Sequence, residues 1–367
     1  MLQKLREKYI LDVLKSDHQF EYIILSNHPD ISWNIIIAQP DKPWDWYFLS
    51  GHKNITWEII IDNPNKPWDW HGISINPNIT FSIINMNLDK PWDWRYISLN
   101  KYITSKVIED HRDKPWDWYF LSINKNVTWE MIEDHRDKPW DWSMISEHRN
   151  ITWKIIQDNP DKPWDWIKVS SNKNITLEII KKHQNKPWNW RMISMNLHLN
   201  SKILEKNKDK TWEWEFISYN RSITWKVIEE NADKSWDWVG ISYNPNITWT
   251  IIKDNLFKPW NWYAISMNNA ITWDIVIKNP DIPWNWGGIS YNPNITFDII
   301  LKNPDKEWNW CGISNNLNIF KIPDRVFREY FAAKKIYKYW FRCITNPEYA
   351  ICRKRLMTEL ITENEKN

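Results

Sequence analysis

Serine recurs at 24-residue steps from Ser26 to Ser314, thirteen times in all. A catalytic hydroxyl works beside a general base and is needed once. Thirteen equivalent copies instead predict a small residue at a close helix contact, its hydroxyl bonded back to a carbonyl. Two other columns mix Asn with His and contain His28, His52, His111, His135, His148 and His183. Imidazoles at such positions could ligate a metal. Because Asn fills the same places in the other copies, the columns read as backbone caps, and no metal site is expected. Lys42 heads a column that is Lys in eleven of twelve copies, broken by Ile282. One lysine per repeat could follow a phosphate backbone. Asp41 and Asp45 flank it in most copies, so the row alternates in sign and predicts ion pairs between repeats, each worth little. Cys311, Cys343 and Cys352 make neither a disulfide framework nor a metal knuckle. No Gly-rich phosphate loop or nucleophile elbow occurs. The chain is expected to be no enzyme and to carry no cofactor.

The elements that would position these columns follow from one phrase, Pro43-Trp44-Asp45-Trp46. Its first Trp returns every 24 residues to Trp308, without insertion or deletion. A fixed period of this size signals a stacked array. In each unit a Thr such as Thr56 can cap a helix, with Glu58 in its first turn and Ile55 stapled to Ile60. Asn63-Pro64 should end it, the Asn taking a left-handed conformation. A second helix follows, with Asp41 expected as its N-cap, Pro43 in the first turn and Trp46 and Leu49 on one face. Asn54 is expected to close an Asx turn before the next unit. Each unit is thus two helices of roughly six to nine residues, stable only when its neighbours cover it.

The chain is therefore expected to be all-α, a superhelical α-solenoid of two-helix repeats with helical caps at both ends. Residues 1–18, with apolar positions at helical spacing, read as an N-terminal capping helix. Residues 19–320 hold 12 to 13 repeats, and 321–367 form a basic helical segment. At about 8–10 Å per layer the array predicts a rod or coil of order 100 Å. Trp46, Trp70, Trp94, Trp118, Trp142, Trp166, Trp190, Trp214, Trp238, Trp262, Trp286 and Trp310 are expected to form the repeat core. The Trp44 column is expected to pack between repeats, or else to stand as a ladder on which bases stack.

The formal charge is only +2, which argues against a strong field toward nucleic acid or membrane. No run of about 18 apolar residues and no signal core is present. With three cysteines, a reducing, cytoplasmic setting is expected.

The wording Asn-Pro-Asn-Ile-Thr-Trp at 244–249 and Asn-Pro-Asp-Lys-Pro-Trp-Asp-Trp at 159–166 resembles the tandem Trp-rich repeats of giant DNA viruses of amoebae, the mimivirus relatives. The resemblance spans about residues 19–320. It implies a viral protein made in host cytoplasm or a viral factory, with a place in the virion possible, and it implies no activity. A looser likeness is to the leucine-rich repeat variant, a 24-residue solenoid. This chain departs from it by placing Trp where that family uses smaller residues and by lacking its N-terminal iron–sulfur cysteines.

Function should lie where copies differ. The pair after Trp46 varies, as in Tyr47-Phe48, His71-Gly72 and Gly287-Gly288. The residue after the Ser becomes Tyr219, Tyr243, Met267 and Tyr291 in the C-terminal half. With Gly240, Ala264, Gly287, Gly288 and Gly312 beside them, these four are the candidates for binding a protein partner. The expected function is a repeat scaffold that binds proteins through an extended surface. The alternative is a nucleic-acid reader built on the Trp and Lys ladders.

Overall fold

The structure, a computed structural model, describes residues 2–15, 19–196, 199, 201–207, 210–322 and 326. Among these residues there are 26 short helices and no strand. The basic segment expected over 321–367 lies outside the described residues, apart from Lys321, Ile322 and Val326. Beyond the first helix, Leu2–Leu14, two kinds alternate. Thr helices, of which Trp57–Asp62 is typical, recur twelve times from Trp33–Ala38 to Phe297–Lys302. Ser helices, such as Trp70–Ile75, recur thirteen times from Tyr22–Leu25 to Trp310–Asn315. They are four to seven residues long, mostly six, toward or below the short end of the expectation.

Local chemistry sets their ends. Thr56 accepts the Ile59 N–H, as expected of an N-cap. The C-terminus departs from expectation: no described non-glycine residue has positive φ, and Asn63 sits at φ −128°, ψ 56°. Its side-chain Nδ2 donates to the Ile59 carbonyl at 2.8 Å, so the amide itself closes the helix. Its own carbonyl accepts the Trp68 indole N–H at 2.9 Å. That indole bond recurs in every copy from Trp44 to Gln39 through Trp308 to Asn303. The first Trp of each pair is thus a tryptophan for its nitrogen as well as its area.

The Ser helix is capped by Asp45, which accepts the Phe48 N–H at 3.1 Å, and not by Asp41. The Trp44 N–H turns back to the Lys42 carbonyl at 2.8 Å, a three-residue turn that delays the helix until after Asp45. The Asx turn is also displaced by two residues. His52 Nδ1 accepts the Asn54 N–H, and Asn76 Oδ1 accepts that of Asn78. Asn54 Nδ2 instead crosses to the preceding repeat, reaching the Ile31 carbonyl at 2.7 Å.

The most deeply buried side chains are aliphatic: Leu49, Ile73, Ile97 and their equivalents on Ser helices, with Ile55, Ile79 and Ile84 from the Thr side. The first Trp column is buried in six copies, among them Trp44, Trp92 and Trp164. The Trp46 column, through to Trp310, is half-buried and flanks this core.

Successive repeats meet through three recurring contacts. Ser50 Oγ accepts the Asp69 N–H at 2.9 Å, and the equivalent Ser74 hydroxyl donates back to the Trp70 carbonyl at 2.7 Å. Trp46 meets Trp68 edge-on at 5.2 Å, and Trp33 lies tilted beside the same Trp68 at 5.6 Å. All three reappear between the last repeat and the first. Glu21 N–H donates to Ser314 Oγ at 2.9 Å, Phe20 meets Trp310 edge-on at 5.4 Å, and Phe297 lies tilted beside Phe20 at 5.9 Å. The Tyr22–Leu25 helix packs on Trp310–Asn315 as most Ser helices pack on the next. The contacts therefore close into a cycle of thirteen seams, and the array is no open rod. A repeated head-to-tail contact closes when its rotation divides the circle and its rise is near zero. Leu2–Leu14 supplies the thirteenth outer element. It packs on Trp33–Ala38, with Arg6 paired to Asp30 at 2.5 Å, and its Tyr9 lies near Asp298 of the last Thr helix.

Candidate functional site

Ser helices lie against one another around the cycle, whereas consecutive Thr helices barely meet. For equal numbers of units, the layer with nearer neighbours lies on the smaller circumference. Tyr96 lies close enough to Tyr47, two repeats away, to raise its pKa, as side chains converging on a concave face do. The Ser helices therefore form the inner layer. On each of them Leu49 and Ser50 and their equivalents turn inward to the packing. The positions of Tyr47 and Gly51 are left to line the concave face, and that of Phe48 borders it, buried between helices where Gly72, Gly240, Ala264, Gly288 and Gly312 stand. These are the columns in which the repeats differ.

The four candidates share this lining. Tyr219 and Tyr243 are 44% and 45% exposed, and Met267 and Tyr291 are half-buried. Tyr263, from the Tyr47 column, joins them at 38% exposure and was not singled out by the sequence. Its signal was available, since it varies and stands next to Ala264. The space beside the small residues is filled: a Cβ on Gly240 would lie 2.9 Å from the Tyr219 ring, and one on Gly312 would lie 2.9 Å from the Tyr291 ring. Each ring is thus laid over the next repeat. The Tyr219 hydroxyl donates to Asp237 at 2.8 Å, which raises the tyrosine's pKa. Contact with Cys311 Sγ at 3.4 Å, then burial, pushes Tyr291 up to about 12. Burial and neighbouring Tyr263 raise Tyr243.

The lining changes character around the ring. From Glu215 to Asn315 its three columns hold four tyrosines and no Lys or Arg, while Arg95, Lys168 and Arg191 occur in the other part. There Asp93 receives Arg95 at 2.8 Å and His71 at 2.5 Å, which hold its carboxyl down at about 2. Arg191 lies 4.0 Å from the Phe216 ring centroid.

The ladders are engaged in the seams. Trp164 is met by Trp142 at 5.2 Å and stacked by Trp129 at 6.0 Å. Lysines of the Lys42 column sit over the second Trp of the preceding repeat, as Lys186 does over Trp166 at 5.6 Å. Their ion pairs run mostly to the adjacent Asp, as Lys114 does to Asp113, with Lys162 to Glu133 a bridge between repeats. The serines form the close contacts described above. Among the described residues no three His, Cys, Asp or Glu side chains gather as a metal set, and no helix is long and apolar enough to cross a membrane. His52 and His148 sit in the capping column, each Nε2 on a carbonyl of the preceding repeat at 3.1 and 3.0 Å.

No family model, curated protein or solved structure matches this chain.

Proposed function

We propose that the chain is an α-solenoid bent into a ring, a non-enzymatic scaffold that binds a protein partner on its concave face. The observation that carries this reading is that the variable Tyr47 and Gly51 columns fall on the face of the inner layer not used for packing. The fold needs Ser50, Leu49 and Asp45 at their places and leaves Tyr47 and Gly51 free to differ, whereas the Phe48 position is limited by the neighbouring helix where Gly72 and Gly288 stand. Thirteen helices spaced about 8–10 Å apart enclose a lumen roughly 20–30 Å wide, enough for a helix or an extended segment laid on the wall. The lining is aromatic and nearly neutral, as protein-binding surfaces are. The nucleic-acid alternative needs free indoles and free lysines, and the stacking of Trp164 and the seat of Lys186 weigh against it. A role in a giant-virus factory or virion follows only from the resemblance of the repeats.

The test is capture of a partner by the purified full chain, repeated with Tyr243→Glu and Tyr263→Glu, and with Leu256→Glu and Phe257→Glu as exposed controls away from the lining. Loss with the first pair and retention with the second is expected. Equal capture by both, or a gel shift of nucleic acid at low salt, counts against the reading.

A further inference from the structure

We propose that the tyrosine arc from Tyr219 to Tyr291 seats the chain's own residues 323–367, so that the ring carries an internal occupant. This rests on the reading of the concave face as a binding surface and names what lies on one part of it.

Three observations converge. The arc shows Tyr219, Tyr243 and Tyr263 to the lumen, each more than a third exposed. It offers no cation, and the carboxylates of Glu215 and Asp237 lie at its near end. Cations attach to such ring faces, and more firmly where competing cations are absent. The continuously described chain ends beside the arc's far end. Ile322 is buried just after the Trp310–Asn315 helix, whose Cys311 and Asn315 continue the lining. Four repeats of arc span about 40 Å, which a fraction of the following 45 residues can cover at about 3.3 Å each. The composition of that segment is complementary. Between Arg325 and Arg342 it has six Lys or Arg, one acidic residue and seven aromatics, among them Phe327, Phe331 and Trp340. The part of the ring with Arg95, Lys168 and Arg191 lacks this complementarity.

The cysteines supply the test in the intact chain. Cys311 is exposed on the lining, while Cys343 and Cys352 belong to the segment. Mild oxidation of dilute full-length protein, followed by peptide mass spectrometry, should give intramolecular links from Cys311 to Cys343 or Cys352. The double variant Tyr243→Ala, Tyr263→Ala, in which both removed rings are exposed, should keep its melting temperature. It should lower the link yield about fivefold or more, as expected for loss of two cation–π contacts. An unchanged yield would show a tether and no seat. Absence of links would exclude the segment from the lumen. Links that grow with protein concentration would make the occupant a second copy. Partner capture that survives any of these overturning results would sink the internal occupant alone and leave the scaffold reading standing.

Discussion

Ser314 Oγ accepts the backbone N–H of Glu21 at 2.9 Å, across 293 residues of chain. The other twelve seams make the same bond across 19 residues, as Ser170 does with Asn189 at 2.8 Å. Twelve seams are thus backed by continuous chain, and this one is held only by side chains and helix packing. Ser314→Ala and Ser170→Ala should each cost about 1 kcal/mol, or somewhat more, because a part-buried donor loses its acceptor. Their consequences should differ in shape. X-ray scattering below the melting temperature should show a larger radius of gyration for Ser314→Ala and none for Ser170→Ala. Identical scattering from both would mean that closure does not depend on this bond.

Stability should fall in mild acid because of the capping histidines. Burial is the largest cause lowering the pKa of His28, His52 and His148. Around His28, Asp30 and the Asn316 backbone push upward, while Arg6 and His52 push downward; Lys53 faces His52 and Arg149 faces His148. A folded pKa below the unfolded value of about 6.5 means that the unfolded chain binds protons first. The contribution is therefore complete above about pH 6.5 and is lost as pH falls through that value toward the folded pKa. The substitutions His28→Asn, His52→Asn and His148→Asn install the residue that ten other copies use at this position. The triple variant should melt at nearly constant temperature between about pH 7 and 5, where the native chain declines. Parallel declines would assign the effect to other groups.

What the sequence reveals depends on whether the cause is local. Thr56, Ser50 and the 24-residue step act within one unit or between adjacent ones, so repetition displays them ten times or more. Closure is different. It follows from the angle between units, a property of how Ser50 and Gly72 approach, and no single copy spells that angle out. A clue was present in the worn first copy, where Phe20 and Tyr22 keep aromatic rings in Trp positions although no repeat precedes them. The Asp41 expectation failed because Pro43 suggested a first helical turn, whereas the Lys42 carbonyl holds Trp44 in a tighter turn. The left-handed Asn expectation failed because Asn63 acts through its amide. For the tyrosine arc the variable column was legible, but the glycines' role was reversed: Gly240 makes way for Tyr219, not for a ligand.

The two Trp columns should differ in cost. Trp164 donates its indole N–H to the Asn159 carbonyl at 2.7 Å and lies between Trp129 and Trp142. Trp166 is half-buried, edge-on to Trp188 at 5.3 Å, with Lys186 above it. Trp164→Phe loses ring area and the short indole bond to the part-buried Asn159 carbonyl, which keeps only the Lys162 N–H at 3.4 Å, whereas Trp166→Phe loses mainly area. The first should be the more destabilising by about 1 kcal/mol, read from paired denaturant melts. A reversed order would place the structural spine on the second column.

The glycines of the inner layer give a graded test of how tightly Ser helices approach. A Cβ on Gly72 would lie 2.4 Å from the Tyr47 carbonyl oxygen, and one on Gly288 would lie 2.5 Å from that of Tyr263. Both obstacles are backbone, so a neighbouring helix must move. On Gly240 the nearest atoms are the Tyr219 ring edge at 2.9 Å, which can swing into the lumen, and the Ser218 carbonyl carbon at 3.0 Å. On Gly51 the closest atom is 3.3 Å away. Alanine favours a helix over glycine by up to about 1 kcal/mol, which opposes these clashes. Gly51→Ala should therefore be near neutral. Gly240→Ala should cost less than Gly72→Ala and Gly288→Ala, which should each lose roughly 1–3 kcal/mol as overpacked contacts do. Because the strain falls on the spacing of the inner layer, Gly72→Ala should also loosen the closing seam two repeats away, seen as faster amide exchange in Tyr22–Leu25. Unchanged exchange there, with the stability loss present, would show that each seam yields by itself and that the ring does not share the strain.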